Sequence, residues 1–257
     1  MPKLFVVSDI HSAYTLLKEA LDNAGFEPEN SNHLLVVCGD YFDRMDESQQ
    51  TLDYLMSVPN KVLVKGNHED LFEDLVHRKY PLSHDWSNCT AKTLMDLAPE
   101  AKDWDAVCSI AIEKVRPLFD QMVNYFETEN YIFVHSFIAL TNKDGLPMYY
   151  TRNRKFEFNT DWRYAHSSEW GEARWGNPFL LAEQGFLPDK TLVFGHWATE
   201  HKWAEVEGRK DFDDNAHFDI FYGDGYIGID GCTAYSGKVN VLVIENENFL
   251  ENPIDKP

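Results

Sequence analysis

Three short apolar runs in the N-terminal part of the chain each stop at a polar motif. They span 4–7, 34–38 and 62–64. Continuous runs of bulky apolar residues are typical of strands buried on both faces. Apolar residues at helical spacing predict one helix over 14–24, before Gly25, and a second over 48–58, before Pro59. This alternation predicts an α/β fold, in which ligands bind at the carboxyl ends of the strands.

The rest of the chain passes from helical patterning back to strands. Between 71 and 129 apolar positions recur at helical spacing, which predicts a helical insertion within one domain spanning 1–257. A separate partner-binding role for that insertion is the alternative. Strand-like runs follow at 131–134, 191–194, 226–229 and 239–244. The segment 141–185, rich in Arg, Trp and Asn, is expected to form a long surface loop system, and such loops are usually functional.

Composition narrows the classes of partner. The formal net charge of -20 argues against a nucleic acid backbone or an anionic membrane, because both would be repelled. The four cysteines are far apart and form no Cys-x-x-Cys pair, so we predict reduced thiols. The N-terminus lacks the pattern of a signal peptide, and no apolar run is long enough to span a membrane. We therefore expect a cytoplasmic protein.

Metal-binding side chains follow the first two apolar runs. Asp9 and His11 are two residues apart, so both side chains point to the same side of an extended strand end and can bind one ion. Such a pair is also common by chance in surface turns. Asp40 follows the second run through Gly39, a position suited to a carboxylate that bridges two cations about 3.5–4 Å apart.

A second ion can be completed from three later strand ends. Asn67 offers a neutral amide oxygen after the third run, and His135 and His196 end two of the later strands. A lone histidine at a strand end is usually structural. Its repetition beside the preceding carboxylates and the amide predicts a two-metal site that hydrolyses phosphoesters.

These motifs, in this order, resemble those of the calcineurin-like metallophosphoesterases. Among them the similarity is greatest to the phosphoprotein phosphatase branch, which includes bacterial and bacteriophage-lambda-type Ser/Thr phosphatases. The matching motifs are Asp9-Ile10-His11, Gly39-Asp40-Tyr41-Phe42-Asp43-Arg44, Gly66-Asn67-His68-Glu69, Val134-His135 and Gly195-His196. The resemblance covers both ends of the chain and the His135 strand, but not the middle. It implies a β-sandwich of two mixed sheets flanked by helices, an architecture that some schemes class as α+β.

The resemblance also implies which residues bind each ion. Asp9, His11 and Asp40 would bind the first metal. The second would be bound by Asp40, Asn67, His135 and His196. Manganese is expected in vitro, while iron and zinc accept the same nitrogen and oxygen ligands.

Three residues beside the ligands are expected to complete the chemistry. Two cations lower the pKa of a shared water, so that a metal-bound hydroxide can attack phosphorus in line. We expect His68 to be the general acid for the leaving alkoxide, with Asp43 orienting its ring. Arg44 would bind the substrate phosphate through its planar guanidinium. The alternatives are a salt bridge between Asp43 and Arg44, and a plain surface charge at Arg44.

A second phosphate-binding arginine is usual in this family, between the two later histidines. Arg174 is our prediction, and Arg152 and Arg154 are alternatives. Lys65 stands where an arginine often precedes the Gly-Asn-His-Glu motif, so a point charge replaces a bidentate fork. Two motif glycines are also replaced, by Ser12 and Met45. These departures predict weaker phosphate binding or a different substrate.

The leading hypothesis is therefore a metal-dependent phosphatase of the Ser/Thr protein phosphatase type, acting on a phosphorylated protein or a small phosphoester. The first alternative is a dinucleoside polyphosphate hydrolase or phosphodiesterase of the same fold. The second, from a different class, is a non-catalytic binding module. Complete ligand motifs together with Asp43 and His68 argue against that module.

Overall fold

Two mixed five-stranded sheets face each other across an apolar core. The computed structural model describes residues 2–143, 145 and 155–248. The first sheet runs from β12 (Leu242–Glu245) through β1 (Lys3–Val7), β2 (His33–Cys38) and β3 (Lys61–Val64) to β4 (Met122–Val123). The second runs from β10 (Phe221–Gly223) through β11 (Tyr226–Gly228), β9 (Thr191–Phe194) and β6 (Tyr131–Phe133) to β5 (Phe126–Glu127).

Parallel pairing at the centre of both sheets brings several strand ends to the same edge. In the first sheet β1 to β4 are parallel to one another, and β12 pairs antiparallel with β1. In the second, β11, β9 and β6 are parallel, while the outer strands β10 and β5 are antiparallel to their neighbours. The sandwich of two mixed sheets predicted from the sequence is confirmed.

The strand β1 shows why the chain forms two apolar layers. Leu4 and Val6 lie in the core between the sheets, where they join Val193 of the second sheet. Phe5 and Val7 point the other way and pack beneath helices. Because side chains alternate across a strand, a run that is apolar at every position can bury both faces.

Helices cover the outer faces of both sheets. The first sheet is covered by α1 (Tyr14–Asn23), α2 (Ser48–Ser57), α3 (Asn67–Arg78), α5 (Thr90–Leu97) and α6 (Trp104–Phe119), with α4 (Ser83–Ser87) between α3 and α5. The second carries α7 (Ser167–Ala173) and α8 (Pro178–Glu183), and α9 (Thr199–Glu207) and α10 (Thr233–Ser236) follow. Both helices predicted near the N-terminus are confirmed, each ending one residue earlier than expected. In the described part of the chain no helix is both long and apolar enough to cross a membrane.

The segment 71–129 is helical only as far as Phe119. Its last residues form β4 and β5, which are edge strands of the two sheets. These strands are two residues long, too short to leave a period in the sequence. The helices of the segment pack on the first sheet. That 71–129 is an insertion in a single domain stays a prediction.

The expectation of a surface loop system over 141–185 was wrong for most of the described part. This part contains β7 (Thr141–Asn142), β8 (Phe156–Glu157), a 3-10 helix (Trp162–Tyr164), α7 and α8. Trp162 and Trp170 are each 1% exposed and belong to the core on the outer face of the second sheet. Isolated aromatic residues in short helices give no readable period, although burying one contributes about 1.5–3 kcal/mol. Arg152 and Arg154 lie outside the described residues.

Candidate metal centre

Polar residues follow six strands and meet at one edge of the sandwich. They are Asp9 after β1, Asp40 after β2, Asn67 after β3, His135 after β6, His196 after β9 and Asp230 after β11. The backbone N–H of His196 donates to Oδ2 of Asp9 over 2.9 Å, which links the two sheets directly. Together with His11, the structure thus brings all six predicted metal ligands to one place. Asp230 was not among them.

The backbone of the site is held in an unusual conformation. Six of its residues have left-handed φ angles, namely Asp9 (52°), His11 (51°), Asp40 (55°), Asp43 (73°), Arg44 (63°) and His196 (67°). For residues other than glycine this region costs of order 1–3 kcal/mol each and is concentrated at functional sites. Ser12, in place of a motif glycine, is also left-handed at 57° and buried, and its Oγ lies 3.0 Å from Oγ of Ser48.

Two glycines let the motif loops approach each other closely. A Cβ atom on Gly66 would lie 2.3 Å from Oδ1 of Asp40, and one on Gly195 would lie 2.1 Å from Oδ2 of Asp9. Both distances are far below van der Waals contact. Any other residue at these positions would push the candidate ligand carboxylates out of place.

The first group of donor atoms surrounds the imidazole of His11. Its Nε2 lies 3.8 Å from Oδ2 of Asp40 and 4.0 Å from Oδ1 of Asp9. Ligand atoms on one ion with bonds of about 2.0–2.2 Å are separated by roughly 3–4 Å, so this spacing fits a shared cation. His11, Asp40 and His68 also converge closely enough to hold an ion.

The second group lies on the other side of the Asp40 carboxylate. Oδ1 of Asp40 is 3.4 Å from Nε2 of His135. That nitrogen is 2.7 Å from Oδ1 of Asn67 and 3.2 Å from Nδ1 of His196. Asp40 therefore turns one oxygen toward each group, which is the arrangement a bridging carboxylate needs.

Hydrogen bonds from the Nδ1 atoms of His11 and His135 determine which nitrogen of each ring carries the lone pair. Nδ1 of His11 lies 2.9 Å from the carbonyl oxygen of Phe42, and Nδ1 of His135 lies 2.8 Å from that of Cys38. A carbonyl oxygen only accepts, so both Nδ1 atoms donate. Burial lowers the pKa of His11 and of His135 well below the usual value, which keeps the rings neutral. Each Nε2 then presents a lone pair, the pattern of metal-binding histidines.

Burial and neighbouring carboxyl groups penalise the charged forms of Asp9 and Asp40. Burial raises the pKa of Asp9 well above its ordinary value, and the nearby Asp230 adds to the rise. Burial also raises the pKa of Asp40, with further contributions from Asp9 and Glu69. Divalent cations would reverse this penalty and accept the converging lone pairs. The donor set fits two divalent metal ions.

Glu69 holds the loop of Asp40 in place, a role that the sequence did not reveal. Its buried carboxylate accepts hydrogen bonds from the backbone N–H groups of Asp40 and Tyr41, both over 3.0 Å, and of Gly66 over 2.8 Å. One side chain thereby joins two motif loops. Its position in the Gly-Asn-His-Glu motif could have indicated this role. The position of Asp230 directly after an apolar strand could likewise have indicated that it lies at the site.

His68, Asp43 and Arg44 form a connected group beside the first donor atoms. Nδ1 of His68 lies 2.7 Å from Oδ2 of Asp43. Asp43 is 1% exposed and also accepts from the hydroxyls of Thr90 over 2.6 Å and Thr93 over 2.7 Å. Nη2 of Arg44 lies 3.3 Å from Nε2 of His68. Asp43 thus contacts the imidazole of His68, and its role in orienting the ring stays a prediction.

Arg174 and Lys65 both face Asp70, on the first turn of α3. The guanidinium of Arg174 donates to Asp70 through Nε over 2.7 Å and Nη2 over 3.1 Å, and to Oδ1 of Asn124 over 3.0 Å. The ammonium of Lys65 lies 3.0 Å from Asp70 and also pairs with Glu73. In this geometry, acidic and amide side chains already hold both predicted phosphate ligands.

The site opens into a pocket of about 490 Å³. One part of its lining is the candidate metal site with Arg44 and His68. Another part consists of the aromatic residues Trp175, Trp197, Phe212 and Tyr235. The pocket is therefore large enough to hold an organic group beside a phosphate.

Comparisons with known proteins agree with this geometry. Serine/threonine-protein phosphatase 2 of Salmonella typhimurium is 39% identical over 71 residues, which is 28% of this chain and 31% of that protein. The matched segment is thus less than a third of the relative. A solved structure described as a candidate diadenosine tetraphosphatase has a TM-score of 0.52 and 16% identity, covering 95% of this chain and 92% of the other. The protein-tyrosine phosphatase of a psychrophilic Shewanella species has a TM-score of 0.51 and 14% identity, with 96% and 76% covered.

At these identities the solved structures show a shared fold. The family model described as calcineurin-like phosphoesterase matches residues 2–248. The match includes every strand of the sandwich and every candidate ligand. The chain therefore belongs to the calcineurin-like phosphoesterases.

Proposed function

We propose that this protein hydrolyses phosphomonoesters with two divalent metal ions, one bound by Asp9, His11 and Asp40 and the other by Asp40, Asn67, His135 and His196. The observation that carries the proposal is the Asp40 carboxylate, whose two oxygens face separate groups of lone-pair donors. Bound metals supply an activated water and neutralise the phosphoryl oxygens. Manganese remains the metal expected in vitro, and a cytoplasmic location stays a prediction.

His68 is suited to protonate the leaving oxygen. Asp43 accepts from Nδ1 of the ring, which leaves Nε2 directed toward Arg44 and Asp40. A proton on Nε2 can pass to the alkoxide as its bond to phosphorus breaks. Arg44 contacts that nitrogen in the present geometry. A guanidinium N–H only donates, so Nε2 accepts in that contact. When the guanidinium turns to the substrate phosphate, Nε2 can take a proton from solvent and then give it to the alkoxide.

Arg44 is the proposed phosphate ligand best placed for the task, since it lines the pocket. Arg174 and Lys65 stay proposed substrate ligands, and this role requires them to exchange Asp70 for the substrate. Asp70→Asn would then lower KM by releasing both cations. An increase in KM would show instead that Asp70 positions these residues indirectly.

A phosphoprotein is the proposed substrate class, with a Ser/Thr protein phosphatase as the leading assignment. The partial similarity to a Ser/Thr phosphatase supports it. So does the pairing of His68 with Asp43, because an alkoxide leaving group needs a general acid. The alternative, hydrolysis of dinucleoside polyphosphates or phosphodiesters, would use the same metal ligands.

The test is hydrolysis of p-nitrophenyl phosphate and of its bis ester by metal-stripped protein after addition of Mn²⁺. Faster cleavage of the monoester supports the phosphomonoesterase. Faster cleavage of the bis ester, or of a dinucleoside tetraphosphate, favours the alternative. Asp40→Asn should abolish turnover, whereas Asp46→Asn, at an exposed position beside Lys92, should not. Metal-bound protein inert to every ester would favour a binding module.

A further inference from the structure

Four rings line the pocket next to the candidate metal centre. We call Trp197, His201, Phe212 and Tyr235 the aromatic wall. The ring centroids of Trp197 and His201 are 5.3 Å apart, and those of His201 and Phe212 are 5.1 Å apart. Phe212 and Tyr235 are also separated by 5.1 Å. The wall is one continuous surface that begins at Trp197, the residue after the candidate ligand His196.

The wall is accessible from the pocket. Tyr235 is 65% exposed, and Trp197, His201 and Phe212 are half-buried. By contrast, Trp162 and Trp170 are fully covered in the core of the second sheet. When the ring of a ligand covers aromatic side chains that are exposed beside a reactive centre, the contact stabilises the complex.

Buried interactions hold the loop that carries Phe212. The carboxylate of Glu200 is fully buried and accepts from the backbone N–H of Phe212 over 3.3 Å and of His217 over 3.0 Å. It also pairs with the guanidinium of Arg209 over 3.0 Å. Phe212 itself has a left-handed φ of 57°. A strained backbone fixed by a buried carboxylate holds the Phe212 ring in the pocket, as expected for a functional position.

The charges of the pocket favour a single phosphate group. Among the described residues that line it, Arg44 is the one arginine, and lysine is absent. Asp9, Asp40 and Asp230 also line it. The positive charges of two bound divalent ions and one guanidinium are suited to binding one phosphoryl group. The additional phosphates of a polyphosphate would find no further arginine or lysine among the described residues that line the pocket.

We propose that the aromatic wall binds the organic group of the substrate, and that the preferred substrates are phosphomonoesters of aromatic alcohols, such as a phosphotyrosine side chain. This inference rests on the proposed phosphomonoesterase function, but it departs from the Ser/Thr assignment because it favours an aromatic over an aliphatic phosphoester. A phenyl group joined directly to the phosphate oxygen can stack on the rings while the phosphate stays at the metal centre. The short aliphatic side chain of phosphoserine cannot make that contact.

The kinetic test compares phosphotyrosine and phosphoserine in the same peptide sequence. A phenol leaves more readily than an alcohol, so the preference of the unmodified protein is not decisive by itself. Tyr235→Ala should lower kcat/KM for the phosphotyrosine peptide roughly tenfold and reduce the ratio between the two peptides. Tyr222→Ala is the matched control, because Tyr222 is 63% exposed but lies on β10 and does not line this pocket. An unchanged ratio for Tyr235→Ala would overturn the inference.

Binding gives a second readout that does not depend on turnover. Calorimetric titration of manganese-loaded protein should show tighter binding of phenylphosphonate than of n-propylphosphonate, which has the same charge. Tyr235→Ala should remove the difference, and Tyr235→Phe should retain it. Equal affinities for the two phosphonates would contradict the aromatic wall, even in an active phosphatase. Hydrolysis of no ester at all would instead contradict the proposed function.

Discussion

The Nε2 atom of His135 and the Oδ1 atom of Asn67 lie 2.7 Å apart. Nδ1 of His135 donates to a backbone carbonyl, so its Nε2 presents a lone pair to the amide oxygen. Two buried acceptors at this distance repel each other unless a proton or a cation lies between them. Burial opposes the proton by lowering the pKa of His135. A metal ion bound by both residues would resolve the conflict.

Metal binding should therefore stabilise the fold. At an Mn²⁺ concentration of about 100 times Kd, the expected gain is about 2.7 kcal/mol, which corresponds to a rise in Tm of roughly 5–10 °C. His135→Ala should lose most of this rise, because it removes a nitrogen ligand. The measurement is thermal unfolding by circular dichroism after chelation and after addition of Mn²⁺.

His84→Asn serves as the control for that experiment, since His84 is exposed on α4 and does not line the pocket of the candidate metal centre. It should keep the full metal-dependent rise. The assignment would be refuted by a rise in Tm that survives in His135→Ala.

Removing the proposed general acid should matter most for poor leaving groups. His68→Asn is expected to lower kcat for phenyl phosphate about 10²- to 10⁴-fold, and kcat for p-nitrophenyl phosphate by less. The more acidic nitrophenol departs without full protonation. Steady-state kinetics on both esters measure the difference. His77→Asn, exposed on the same helix, should leave both rates unchanged, and equal losses in His68→Asn would argue for a structural role.

Asp230 should make the stability of the metal-free protein depend on pH. Burial raises the pKa of Asp230 from 3.8 to about 6, so folding favours the protonated form. That stabilisation is complete below pH 3.8 and is lost as the pH rises through 6. Above pH 6 the buried charge costs up to about 3 kcal/mol, because one pKa unit corresponds to about 1.4 kcal/mol.

Asp230→Asn is accordingly expected to raise the free energy of unfolding by about 1–3 kcal/mol at pH 7.5, with the difference disappearing below pH 4. Urea unfolding across this range, in the presence of a chelator, provides the measurement. Asp224→Asn, at an exposed turn between β10 and β11, should show no such trend. A difference of constant size at every pH would exclude the titration of Asp230 as its cause.

Glu69→Gln should weaken both the fold and metal binding. A glutamine has one accepting oxygen in place of two, so its amide N–H₂ would face a buried backbone donor. An unsatisfied buried donor costs about 1–3 kcal/mol. Urea unfolding and Mn²⁺ titration would measure the two losses. Glu73→Gln, exposed on the same helix and paired with Lys65, should retain metal affinity.

Local motifs made the candidate ligands readable from the sequence. Asp9, Asp40 and Asn67 each follow an apolar strand, and parallel strands place their carboxyl ends together. The pairing of His68 with Asp43 could be expected for the same reason. The two N-terminal helices could also be predicted from the sequence, because each has one apolar face and is followed by a glycine or a proline.

Other features depend on residues that are far apart in the chain. The prediction of a surface loop over 141–185 failed for this reason. Trp162 and Trp170 become buried only by packing against the second sheet, which no local pattern in the sequence indicates. Arg174 and Asp70 are separated by 104 positions, and only the docking of α7 beside α3 brings them into contact. No local pattern records such a pair.

The sequence by itself determined the order of the strands' polar ends and the kinds of ligand atoms they carry, since these follow from the residue types and their spacing. The tertiary structure decided the left-handed backbone conformation at Asp9 and Asp40 and the direction of the lone pair on Nε2 of His135. It also decided the position of the aromatic wall in the same pocket. Those features arise where two sheets and their loops pack together. Their energies come from contacts that form only in the folded chain.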